Sequence, residues 1–152
     1  MNLRLITLVA VSCTGLAHAG AWDTGPFDND DALDWVWQLT ESDDLSVVED
    51  ALNNALESSA YLEAPMGSMA VAAAEVVAAL KGNPRAELPP EVSEWVDAQD
   101  FAVDDNLAAS ARRAVAQVRN AATSELAQLW ADSDELAAAW NSDLDDLLER
   151  LE

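Results

Sequence analysis

Asp28, Asp30, Asp31 and Asp34, with Asn29 among them, are the densest run of carboxylates in the chain. Calcium is held by oxygen ligands, which makes Asp28, Asp30 and Asp34 the candidate metal ligands. The run does not match an EF-hand loop, because the glycine and the closing bidentate glutamate are missing at the required spacing. On a helix, Asp30 and Asp34 share a face while Asp31 points elsewhere, so helix capping with a solvated acidic face explains the same residues. A second acidic group comprises Asp132, Asp134 and Glu135, followed by Asp143, Asp145 and Asp146. Two carboxylates held across a cleft could divide acid and base steps of a hydrolysis. Ser42, Ser58, Ser68 and Ser93 have no base or nucleophile-elbow setting beside them, and no catalytic residue is assigned.

The segment Gly20 to Phe27 is the most unusual locally, with Trp22 and Phe27 on either side of a Gly25-Pro26 turn. Three readings apply to these aromatics. They pin the start of the domain onto its body, form an exposed recognition loop, or make an oligomer contact in which tryptophan supplies concentrated area. Trp22, Phe27 and Trp35 are therefore the candidate interface residues.

What precedes this segment reads as a signal peptide over residues 1–19. Arg4 leads a short apolar run from Leu5 to Val11, and Ala17, His18 and Ala19 give a small-residue cleavage pattern before Gly20. The run is too short for an ordinary membrane-spanning helix, and no later stretch reaches the length that requires. Lipidation at Cys13 is the competing reading, although Ala10 is a poor start for such a signal and the Ala17-His18-Ala19 site would go unused. Cleavage after Ala19 leaves 133 of the 152 residues, enough for one domain with a substantial core.

Cleavage would also remove Cys13, His18 and Arg4, the only cysteine and histidine among them. Disulfides, cysteine nucleophiles, imidazole bases and zinc sites built on nitrogen or sulfur then drop out of the chemistry. No cofactor is implied. The full chain holds 29 acidic against 7 basic side chains, and without Arg4 the net charge is -23. A chain this acidic has no basic footprint for nucleic-acid phosphates and is repelled by an anionic membrane surface. A basic protein partner, bound cations or a salty medium would each relieve its self-repulsion. Six tryptophans and abundant Leu, Val and Ala argue against disorder.

The elements that must position these groups are helical. Asp28 or Asn29 caps a helix from about Asp30, with Ala32, Trp35, Val36 and Leu39 inward and Leu33 and Trp37 widening the apolar stripe. Asp43 or Asp44 caps a second helix, with Leu45, Val48, Leu52, Ala55 and Leu56 at helical spacing, and Ala64-Pro65 marks a break. A third runs from about Met66 to Lys81, burying Met69, Ala73, Val76, Val77 and Leu80, with Gly82 as its positive-φ terminus. Further helices are expected over 91–98, 104–120, 123–131 and 134–151. Leu126, Leu129 and Trp130 would face inward on the sixth, and Leu136, Trp140, Leu144, Leu147 and Leu151 on the last. The spacing thus predicts an all-α, compact single domain of about six or seven short amphipathic helices.

The run Gly20-Ala-Trp-Asp-Thr-Gly-Pro-Phe-Asp-Asn-Asp-Asp-Ala-Leu-Asp-Trp35 resembles the opening of the DUF4259 family, a bacterial domain family of unknown function. Tyr61-Leu-Glu-Ala-Pro65, Ala73-Ala-Glu-Val-Val-Ala-Ala-Leu80 and Pro90-Glu-Val-Ser-Glu-Trp95 are similar to it as well. Asp23 departs from the small residue expected after the tryptophan. The resemblance covers nearly all of residues 20–152 and implies one compact helical domain, with no catalytic residue to carry over.

The leading expectation is an exported, non-enzymatic protein, periplasmic or extracellular. It would have a structural or protein-binding role in the cell envelope and a basic envelope protein as partner. It would have no integral membrane segment once the leader is gone, and no nucleic acid. A divalent-cation-binding protein using Asp28 to Asp34 and a carboxylate-dependent hydrolase are the alternatives.

Overall fold

The computed structural model describes residues 24–58 and 60–152. Over these it contains seven helices and no strand: α1 (Asp30–Thr40), α2 (Ser46–Glu57), α3 (Ala64–Leu80), α4 (Pro90–Ala98), α5 (Asp105–Val118), α6 (Glu125–Trp130) and α7 (Asp134–Arg150). Together they form the compact, single all-α domain that the periodicity predicts. None of the helices is long and apolar enough to cross a membrane.

The fold is organised around α3, which touches each of the other six helices. Its sequence from Ala70 to Ala79 is buried without interruption, so it has no solvent face. Small side chains explain this. Alanine favours the helix and lets neighbouring backbones approach from every side, which a helix with one apolar stripe would not permit. Here the sequence expectation of one inward face is too narrow, and Met69 and Leu80 from that face are only half-buried. Gly67 serves the same close packing, since a Cβ there would lie 3.4 Å from the Leu126 side chain of α6.

The ends of the helices are set by side chains beside them. Asn29, Asp104, Ser124 and Ser133 accept backbone N–H groups at the starts of α1, α5, α6 and α7. The Asp44 carboxylate takes the Ser46 N–H at 2.9 Å ahead of α2. Its pKa is held below the usual aspartate range by the Ser46 hydroxyl, then by the Ser46 N–H and the Ser42 hydroxyl, against a desolvation effect of opposite sign. A carboxyl lowered in this way supports the fold at neutral pH, and that support fades as pH falls through the lowered value. Pro65, expected at a break, instead lies in the first turn of α3, where its missing N–H costs nothing. Ahead of that turn, Leu62 pairs with the 123–125 segment through Leu62 N–H to Thr123 O (2.7 Å) and Glu125 N–H to Leu62 O (2.9 Å). The Glu125 carboxylate then takes the Ala64 N–H at 2.8 Å, so α3 and α6 start from one shared knot.

At its other end α3 closes in a paired motif. Asn83 N–H donates to Ala78 O and Gly82 N–H to Ala79 O, both at 2.9 Å, with Gly82 at φ 88°. Gly82→Ala is expected to cost about 1–2 kcal/mol in urea unfolding, although a methyl group there would meet nothing, because the left-handed backbone alone penalises it. A neutral result would mean that the turn relaxes to another conformation.

Candidate functional site

The Asp28 to Asp34 run does not assemble into a cation site. Among the described residues no three His, Cys, Asp or Glu side chains converge where a metal could sit. The geometry of the 25–28 turn gives the reason. The Asp28 carboxylate folds back over Gly25, so closely that a Cβ at Gly25 would fall 1.9 Å from Asp28 Oδ2. Asp30 and Asp34 lie exposed along α1, and Asn29 spends its side chain on the Ala32 N–H at 2.9 Å.

The aromatic candidates also need correction. Phe27 is 6% exposed and Trp35 is 2% exposed, so both belong to the hydrophobic core and offer no contact surface. Trp22 lies outside the described residues. Among the described residues the exposed aromatics are Tyr61, at 48%, and Trp37, at 68%, the latter with Leu33 at 50% one turn before it on the same face of α1. Asp30, Asp34 and Glu41 are exposed at the i±3 and i±4 positions around this pair. The result is an apolar strip edged by three carboxylates. Leu129 and Leu136 are likewise exposed rather than part of the inward seams expected for them.

The second acidic group is divided among several structural roles. Asp143 accepts the Thr24 hydroxyl at 3.3 Å, Asp145 pairs with Arg119, and Asp146 takes Arg150 Nε at 2.7 Å. Asp132, Asp134 and Glu135 stand exposed at the turn between α6 and α7. They do not share the groove that Asp143 and Asp146 line.

The basic residues show where the positive charge is spent. Glu75, the buried carboxylate of α3, is 2% exposed and receives a two-pronged contact from Arg150 at 2.7 and 2.9 Å. Burial of the Arg150 guanidinium opposes its charge, and the hydrogen bonds and charge of Glu75, then of Asp146, outweigh that, so its pKa is raised. Lys81 Nζ and an Arg112 N–H both donate to Leu151 O, at 2.6 and 2.7 Å, satisfying the carbonyl end of α7 where cations are favoured. Arg119 holds Asn141 and Asp145 on the same helix. Lys81, Arg112, Arg119 and Arg150 therefore fasten α7 to the body. Among the described residues, ion pairs reach only Glu75, Asp145 and Asp146, which leaves the acids elsewhere, those of α1 included, without a paired cation.

Sequence reasoning had no access to Glu75, Arg85 or Arg150 as a group. One signal was present: Glu75 is the only charge between Ala64 and Leu80, where a lone carboxylate in an apolar helix calls for a buried partner.

Neither the curated proteins nor the solved structures contain a match to the chain. A family model does match, that of a domain of unknown function (DUF4259), over residues 20–143, a span that includes the α1 strip and Glu75 and stops before Arg150. On that match, which takes in most of the sequence, the chain belongs to the DUF4259 family.

Proposed function

We propose that this is an exported protein-binding module of the cell envelope, in which the outer face of α1 seats on a basic protein partner. The observation that carries this reading is the exposed pair Leu33 and Trp37, edged by Asp30, Asp34 and Glu41. A tryptophan left in water on a rigid helix is the residue type that dominates contact energy once a partner covers it. The carboxylates beside it have no internal cations, so a partner with an apolar pocket rimmed by Lys or Arg would gain both terms. The long-range field of a chain with net charge -22 would speed its approach. Export rests on the leader order of Arg4, the apolar run and the Ala17-His18-Ala19 pattern.

The test uses the full chain, tagged at its carboxyl end and expressed with its leader. Sequencing of the recovered amino terminus is expected to begin at Gly20; an intact Met1 in a cytosolic fraction would count against export. Envelope proteins captured by the chain are then purified and titrated against it. The expected partner is basic, and Trp37→Ala weakens its binding by about thirtyfold, equivalent to about 2 kcal/mol. Raising the salt weakens both variants through the charged rim. Equal affinity of the wild type and Trp37→Ala for each partner found would overturn the assignment of α1.

A further inference from the structure

Among the described residues, Arg85 stands apart from the other basic side chains. Lys81, Arg112, Arg113, Arg119 and Arg150 each donate a hydrogen bond. The Arg85 side chain is only 21% exposed, yet its nearest acid is Glu75 at 3.5 Å, and both oxygens of that carboxylate are already taken by Arg150. Its Nε–H is enclosed and has no acceptor. A side chain this enclosed, with one N–H unsatisfied and only a long ion pair to a shared carboxylate, gains little in return for its lost solvation.

This partly used fork lines a groove of about 370 Å³ between the 84–87 segment and α7. The volume lies in the range of small-molecule sites. Its charged walls are Arg85 and Arg150 against Glu75, Glu87, Asp143 and Asp146, two cations to four anions. Glu75 and Asp143 also line a second, smaller recess of about 20 Å³ deeper in the domain, which has room for one water-sized group. Ser68 and Trp130 line that recess, and Ser68 Oγ and Trp130 Nε1 are buried donors with no acceptor. The Arg85 fork thus calls for an oxyanion, while a single water suffices for the two enclosed donors of the smaller recess. The surplus of carboxylates, however, repels a simple anion.

A ligand that brings its own positive charge satisfies both demands. The geometry points to a binding site for a free α-amino acid with a cationic side chain, its carboxylate on Arg85 and its ammonium groups against Glu87 and Asp143. The carboxylate completes a bidentate pair of the kind guanidinium groups are shaped for. The net positive charge of such a ligand offsets the negative balance of the walls.

The experiment is calorimetric titration of the full chain with L-lysine at fixed ionic strength, beside L-norleucine, which lacks the side-chain cation, and 1,5-diaminopentane, which lacks the carboxylate. Saturable one-to-one uptake of lysine is expected, with either analogue about tenfold weaker or worse. Arg85→Gln is expected to reduce lysine affinity about tenfold while leaving diaminopentane no weaker, because the carboxylate contact is lost together with a cation that repels the diamine. Glu87→Gln, at an exposed position, should weaken lysine more than norleucine, and Trp37→Ala should change nothing, which separates this site from the α1 face. Absence of saturable lysine binding would overturn the proposal. So would equal binding of lysine and diaminopentane that Arg85→Gln does not disturb, since that is diffuse condensation of cations on an acidic surface.

Discussion

Arg150→Ala is expected to lower the unfolding free energy by about 3–5 kcal/mol. The loss comes less from the contact than from what it leaves behind. Glu75 sits within α3 at 2% exposure, and removing the guanidinium leaves its charge poorly solvated with only the longer Arg85 contact. Arg85 is 3.5 Å away and could relieve part of the cost by moving closer, which places the expected value toward the lower end. The same substitution releases Asp146 and the Asn83 carbonyl, both contacts of α7 with solvent-facing sides and smaller in effect. Replacing all three charges, Glu75→Met with Arg85→Met and Arg150→Met, should recover most of the loss, since apolar side chains of similar size have no desolvation penalty and no charge is left unpaired. Urea unfolding of the wild type and both variants decides the matter. If the triple variant is as unstable as the single one, the charges are worth their contact energy and the unpaired-charge argument fails.

Two tryptophans one turn-fraction apart on α1 should behave in opposite ways. Trp35→Ala is expected to cost about 3–5 kcal/mol, because it empties a core position packed beside Ala32, Val36 and Leu39. Trp37→Ala should change stability by no more than about 0.5 kcal/mol, with the better helix propensity of alanine offsetting what little contact is lost. Trp35→Phe offers a finer comparison. The Trp35 Nε1–H is buried without an acceptor, so phenylalanine loses volume but no hydrogen bond and should be milder than alanine. Thermal unfolding of the three variants reads all these effects. A large loss from Trp37→Ala would mean that its exposed ring is covered in solution even without a partner.

These two residues also mark the limit of what the sequence made legible. Spacing of 3, 1 and 3 through Ala32, Trp35, Val36 and Leu39 is enough to assign a buried face, and the structure buries all four. Leu33 and Trp37 lie off that face, and no periodicity can say whether a neighbour covers them, because that depends on where helices distant in the chain come to rest. The capping signals at Asn29, Ser124 and Ser133 were readable because they act within three residues. The acid run shows a related limit: its composition suits a cation, but the direction of the Asp28 side chain is fixed by a turn that spacing does not reveal. In α3, alanine carries no facial preference, so its sequence could not reveal that it is enclosed all round. Nor could spacing connect Glu75 to Arg150, or Lys81 to the Leu151 carbonyl, because residues 70 or more apart meet only through the packing of α7.

The enclosure of α3 has a consequence for how the domain opens. With another helix on each of its sides, no partial detachment of one element bares more than a strip of it. Its amide hydrogens should therefore trade with solvent deuterium only when the whole domain comes apart, while those of α1, whose Leu33 and Trp37 face is exposed, are released by smaller excursions. The binding face proposed on α1 would then sit on an outer helix, carried by a central one that opens last.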